Sequence, residues 1–199
     1  AEDFRTFDSK LNLLLEWKRG LSGDMLNGVG DLSQNDFGDL EAPGGATVFD
    51  NTLITVADTA AMTGDAFESL CAVLWSKLGY KTYKAGGTGN GGVDIVAFSG
   101  NKGVLIQCKT SSIEGQALGW DAIKEVAAGA AAYEAKHAGV VFKKVAVTNQ
   151  FFNGAAKVQA ALNSVELFDH HSLKNLLEKY PVRRSLIQLN PHHITFSEA

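Results

Sequence analysis

At 199 residues and 45% hydrophobic composition, the chain can bury a full core, and its length suggests one domain with an appendage. No apolar run approaches the ~18 residues needed to span a bilayer, and the charged first residues lack the apolar segment of a signal peptide. Two cysteines, Cys71 and Cys108, with no paired spacing argue against a zinc site or disulfide scaffold and fit a reducing, cytoplasmic setting.

The net charge of −4 is unevenly spread. No Lys or Arg lies between Arg19 and Lys77, a stretch that carries nine acids, whereas residues 77–199 carry fourteen bases against nine acids. A basic C-terminal part tolerates a polyanionic partner, and overall acidity does not exclude nucleic acid, because only the potential at the groove matters. Either charge block also reads as an ordinary solvated surface.

In chain order, residues 2–18 have the spacing of an amphipathic helix, with Phe4, Phe7, Leu11, Leu14 and Leu15 on one face. That face needs a partner, either the main domain or a second subunit. Residues 20–60 are rich in Gly, Asp and Asn and read as an irregular arm with one short strand at 52–57. The Asp-rich stretch 24–41 lacks the spacing of a calcium loop. The expected boundaries are therefore an arm over 1–60, a main domain over 61–181 and a tail over 182–199. The chain starts with Ala1, as a processed product or a fragment would.

From Thr63 the pattern is regular. Thr63 can cap a helix to about Leu78 that buries Phe67, Leu70, Cys71, Leu74 and Trp75 and stops at Gly79. A strand over 80–85, a glycine loop over 86–92 and a hairpin over 93–109 follow. Residues 110–118 read as a loop, 120–137 as an Ala-rich helix, 143–149 as a strand and 154–163 as a helix. A strand at 165–168 and a helix from Asp169 or Ser172 to Tyr180, stopped by Pro181, complete the order. This alternation predicts an α/β sandwich with a mixed central sheet flanked by helices.

The hairpin carries the chemistry. A turn centred on Gly100 and Asn101 sets Asp94 opposite Gln107, with Lys109 one step along the same face. Asp94 lies among Val93, Ile95 and Val96, which imply burial on both faces, and a buried acid needs a partner or a metal. Gln107 and Lys109 taken alone read equally well as edge-strand polars. The glycines Gly87, Gly89 and Gly92 match G-x-G-x-x-G literally. A dinucleotide site requires a helix to start there, and a β-branched strand follows instead. The histidines, His137 and the pairs 170–171 and 192–193, are adjacent or isolated and give no ligand geometry.

The order helix, strand, Asp-bearing strand, Gln-x-Lys strand, helix, strand resembles the PD-(D/E)xK nuclease superfamily. It is most similar to the Mrr-type restriction endonuclease branch, in which the second acid is commonly glutamine. The segments that carry the resemblance are 64-GDAFESL-70, 79-GY-80, 89-GNGGVDIVAF-98, 105-LIQCK-109 and 147-VTNQFFNGAAKVQA-160, within roughly residues 63–180. The resemblance implies an αβββαβ core and a Mg²⁺-dependent DNA endonuclease, with Mn²⁺ as a substitute, acting in restriction or defence. It implies a metal held by Asp94, Gln107, the main-chain carbonyl of Cys108 and Glu68, a glutamate on the first helix. Lys109 would then assist the attacking water. DNA contacts are expected from Gly89, Asn90 and Gly91 of the glycine loop, from Thr110 and Ser111 after Lys109, and from Gln150.

One such site cuts one strand, so double-strand cleavage implies a homodimer or paired nicks. A fused or associated recognition or helicase domain is compatible with the ends of the chain. The neutral Gln107 and the acidic middle segment favour a second reading, a DNA-binding or assembly module that keeps the fold without cutting. A nucleotide-dependent enzyme built on the glycine loop is the third.

Overall fold

The computed structural model describes residues 50–86, 91–188 and 193–195. They belong to the unit of the chain that runs from Val48 to Ala199. The helix expected over 2–18, the Asp-rich stretch 24–41 and the loop residues Gly89 and Asn90 lie outside the described residues.

Helix α1 (Gly64–Lys77) starts where Thr63 accepts the Ala66 N–H on its hydroxyl, and Gly79, at φ +91°, follows its end. Strand β1 (Lys81–Gly86) comes next, then β2 (Ile95–Ser99) and β3 (Lys102–Lys109). A two-residue β4 (Ala117–Leu118) precedes helix α2 (Asp121–Lys136), strand β5 (Val141–Thr148) and the short β6 (Phe151–Phe152). Helix α3 (Gly154–Asn163), strand β7 (Val165–Phe168), helix α4 (His170–Lys179), the short α5 (Arg184–Gln188) and strand β8 (His193–Thr195) complete the described elements. Asn153 caps α3 and Asp169 caps α4, each with a side-chain oxygen accepting N–H groups of the first turn.

Six strands form one mixed sheet in the order β7-β5-β3-β2-β1-β8. The β1–β2 and β2–β3 pairs are antiparallel, while β3–β5, β5–β7 and β1–β8 are parallel. The C-terminal ends of β1, β3, β5 and β7 therefore share one edge of the sheet with the start of β2. The alternation of strand side chains divides the core in two. Ile95, Ala97, Val104, Ile106, Cys108, Val145 and Val147 face α1 and α4, and Val96, Leu105 and Ala146 face α2 and α3. The result is the expected α/β architecture: a mixed sheet with helices on both faces, in the order αβββαβ.

Three expectations are corrected. Residues 52–57 form no strand: Leu53 makes a single bridge to Arg183, and the chain turns into a 3₁₀ helix at Ala57–Ala61. Asp58 drives that turn, its carboxylate accepting the Thr55 N–H at 2.7 Å and the Thr55 hydroxyl at 2.6 Å. Residues 110–118 are not all loop, since β4 pairs in parallel with β6 in a small second sheet. The segment after Pro181 adds α5 and β8, with Val182 fully buried and Ile54 donating its N–H to the Val182 carbonyl at 2.8 Å. Among the described residues no helix is long and apolar enough to cross a membrane.

Candidate active site

The hairpin turn sets the register of the site. Gly100, at φ +61°, fills the first central position of a two-residue turn, so Ser99 pairs with Lys102 and Ile95 with Ile106. That is the register read from the sequence, and it brings Asp94 beside Gln107 and Cys108. Asp94 itself lies just ahead of β2, where the regular ladder ends. Its carbonyl accepts the Ala85 N–H at 2.8 Å, its N–H donates to the Ile106 carbonyl at 2.9 Å, and its Oδ2 accepts the Cys108 N–H at 2.8 Å. Three bonds to the strands on either side fix this residue.

Burial dominates the electrostatics here, pushing the Asp94 carboxyl up from the usual 3.8 to about 6. The Cys108 N–H opposes the shift, Glu68 adds to it, Lys109 opposes it and Glu125 adds to it. These groups reach Asp94 from both faces of the sheet: Glu68 from α1 on one side, Lys109 and Glu125 from β3 and α2 on the other. A site with several carboxylates around a half-desolvated aspartate favours a cation.

Gln107 is 5% exposed, and its Oε1 has no hydrogen-bond partner among the described residues. A buried carbonyl oxygen left open beside a carboxylate fits a divalent cation that takes hard oxygen ligands. Among the described residues no group of three or more His, Cys, Asp and Glu side chains is arranged for a metal. The Cys108 thiol is turned into the core, where a hydrogen bond with Cys71 and burial push its pKa far up. Cys108 can therefore serve the site only through its backbone.

Two charged residues at this edge escaped the sequence reading. Lys84, in β1, is 3% exposed. Its ammonium donates to the Asp65 carboxylate at 2.6 Å, the Asp65 carbonyl at 3.0 Å and the Ser69 hydroxyl at 3.2 Å, and lies 3.5 Å from the Glu68 carboxylate. It thus ties the first turn of α1, and Glu68 with it, to the strand beside Asp94. The only signal was a lysine inside a short strand pattern. Glu125, in α2, pairs with Lys109 at 2.8 Å. Nothing in the spacing marks it, because its place depends on how α2 packs.

That packing explains the glycines. A Cβ on Gly92, at φ +81°, would lie 2.9 Å from the Glu125 Cβ and carbonyl oxygen, and one on Gly129 would strike the Gly91 carbonyl. The end of the glycine loop is pressed against α2, and this contact delivers Asp94 to the sheet edge.

The expected DNA-contacting residues are dispersed. Thr110 lines a cleft of about 280 Å³ together with Lys109, Gly119, Asp121 and Glu125. Ser111 is engaged in its own loop: its N–H donates to Asn149 Oδ1 at 2.9 Å, and its carbonyl accepts both the Asn149 and Gln150 amides. Gln150 is 4% exposed, and its Oε1 accepts the Gly115 N–H at 2.9 Å. Asn149 and Gln150 thus clamp the loop that follows Lys109. Gly91 is described at φ +66°, against Gly129.

Residues 59–177, more than half of the chain, match the family Mrr_cat, described as restriction endonuclease. Among solved structures, the crystal structure of a protein of unknown function, AF1548, has a TM-score of 0.44 and 22% identity, over 59% of this chain and 66% of that one. The MspJI restriction endonuclease in complex with a 27-mer oligonucleotide has a TM-score of 0.44 and 20% identity, over 68% of this chain and 31% of that one. The chain spans less than two thirds of either neighbour. No curated protein matches it. The matched span contains every element that builds the cluster around Asp94, and on that match the chain belongs to the Mrr_cat restriction endonuclease family.

Proposed function

We propose that the protein is a Mg²⁺-dependent DNA endonuclease that accepts Mn²⁺ and serves in restriction or defence from the cytosol. The observation that carries the reading is the convergence of Asp94, Gln107 Oε1, Glu68 and Lys109 at one sheet edge, with the acid desolvated and the amide oxygen open. Asp94, Gln107, the Cys108 carbonyl and Glu68 would hold the cation, and when bound it supplies charge to polarise the scissile phosphate and acidify a water. The Cys108 N–H holds one oxygen of Asp94 in place, which restrains the carboxylate before any cation arrives. Lys109, 40% exposed, extends to the solvent side of the sheet edge, where its ammonium can orient the attacking water and offset charge developing on the phosphate. Lys84 keeps Glu68 close to the site. The basic C-terminal part supports DNA as the polyanion, and paired cuts would come from two copies acting together.

The neutral amide at 107 supports a second reading, a module that binds DNA without cutting it. A plasmid assay separates the two. With Mg²⁺ or Mn²⁺ the protein is expected to convert supercoiled DNA to open-circular or linear forms. Lys109→Ala is expected to lower the rate by at least about a hundredfold with the fold intact by circular dichroism. Salt-sensitive binding with no cleavage under either metal would establish the non-catalytic reading instead.

A further inference from the structure

We propose that Glu125 is a positioning residue for Lys109, its carboxylate fixing the ammonium beside Asp94. The proposal rests on the nuclease reading above and deepens it. Lys109 stands at the C-terminal end of β3, and its flexible four-carbon stem has no fixed direction of its own. Its ammonium forms an ion pair with Glu125, at 2.8 Å. The two side chains are 40% and 33% exposed, and a pair so open to water contributes little to folding. Orientation is the property such a contact does confer.

The position of Glu125 is built into the packing of the backbone. Gly92, two residues before Asp94, lacks the Cβ that would meet the Glu125 Cβ and carbonyl at 2.9 Å. One turn further along α2, Gly129 admits the Gly91 backbone in the same way. The segment that delivers Asp94 and the helical turn that carries Glu125 are therefore locked together, and Lys109 is paired to the second of them. The negative charge of Glu125 also reaches Asp94, where it favours the protonated acid. Other charges on this side are accounted for: Asp121, a neighbour in the cleft, pairs with Lys124 at 3.0 Å, and Glu68 lies by Lys84 on the opposite face. With Gln107 neutral, Glu125 returns to the α2 side of the sheet a carboxylate that the strand motif does not supply.

The test is Glu125→Gln, which preserves shape and removes the charge. Two quantities are measured separately on a short duplex: the single-turnover cleavage rate at saturating DNA with Mg²⁺, and the metal-free dissociation constant across a range of salt. Cleavage is expected to slow by about ten- to a hundredfold. Metal-free affinity is expected to rise several-fold, with the salt dependence steeper by about one ion, because the released ammonium takes up a phosphate. In the double variant with Lys109→Met the gain in affinity is expected to vanish. Wild-type cleavage by Glu125→Gln would overturn the proposal. So would a gain in affinity that persists without Lys109, or a parallel loss of rate and affinity, the mark of a merely structural helix residue. A wild-type protein that binds DNA but never cuts overturns the nuclease reading instead, and the salt dependence then still decides whether Glu125 governs Lys109.

Discussion

Replacing Asp94 by Asn is expected to abolish cleavage and, in the absence of metal, to make the protein more stable at neutral pH. Both effects come from one cause. Burial holds the Asp94 carboxyl at about 6, against the usual 3.8, so the ionised form is the costly one in the folded chain. Between about pH 4 and pH 6 the folded chain retains a proton that the unfolded chain has released, and stability falls as pH rises through that window. Above it, the ionised carboxylate costs on the order of 2–3 kcal/mol. Asn carries no charge, and its Oδ1 can still accept the Cys108 N–H. The variant is therefore expected to melt several degrees above the metal-free wild type at pH 7.5, with the gap closing toward pH 4. Cleavage should drop by at least about a hundredfold if Asp94 is the principal anionic ligand, as proposed. Thermal melts at both pH values, without metal, check the first half. An Asn variant less stable than wild type at pH 7.5 would mean that Asp94 is held by fixed partners and not kept ready for a cation.

The second large effect is expected at Gly92. An alanine there meets two penalties together: a left-handed backbone at φ +81°, which costs about 1–2 kcal/mol for a residue with a Cβ, and a contact at 2.9 Å with the Glu125 backbone oxygen. Overpacking against a helix backbone adds about 1–3 kcal/mol. Gly100 is the internal control, because it also has a positive φ, +61°, yet a Cβ there meets nothing within 4 Å. Urea denaturation is expected to show Gly92→Ala losing about 2–5 kcal/mol and Gly100→Ala only about 1–2 kcal/mol. Gly92→Ala should also slow cleavage more than its stability loss accounts for, since Asp94 moves with the loop. Equal stability losses at the two positions would refute the close approach to α2.

The sequence made the hairpin legible because its determinants are local. A two-residue turn at Gly100 and Asn101 fixes the register, and strand alternation then assigns Val96 and Leu105 to one core and Ile95 and Ile106 to the other. Two helix starts were equally readable, as Thr63 and Asp169 each cap through their own side chain. What depended on tertiary packing was hidden. Glu125 reaches Lys109 only because Gly92 and Gly129 let α2 approach the loop, and no spacing rule encodes a contact between two glycine-bearing segments so far apart in the chain. Lys84 carried no signal of its own, since a lone charge in a short strand gives no hint of the three acceptors that α1 brings to it. The strand expected at 52–57 had the right residue types, but Asp58 captured the Thr55 donors and turned the chain. At Gln150, its place after Val-Thr-Asn suggested a contact near the groove, and what the sequence did not show is that its amide bonds the backbone of the 111–115 loop.

On the proposed function, Asp94 and Gln107 share one divalent cation at the sheet edge. A crystal structure of the protein soaked in Mn²⁺, with anomalous data collected for the metal, tests it most directly. A peak is expected within bonding distance of the Asp94 carboxylate and of Gln107 Oε1. A peak bound elsewhere while those two oxygens stay bare, or Gln107 Oε1 engaged by a protein donor in place of metal, would contradict it.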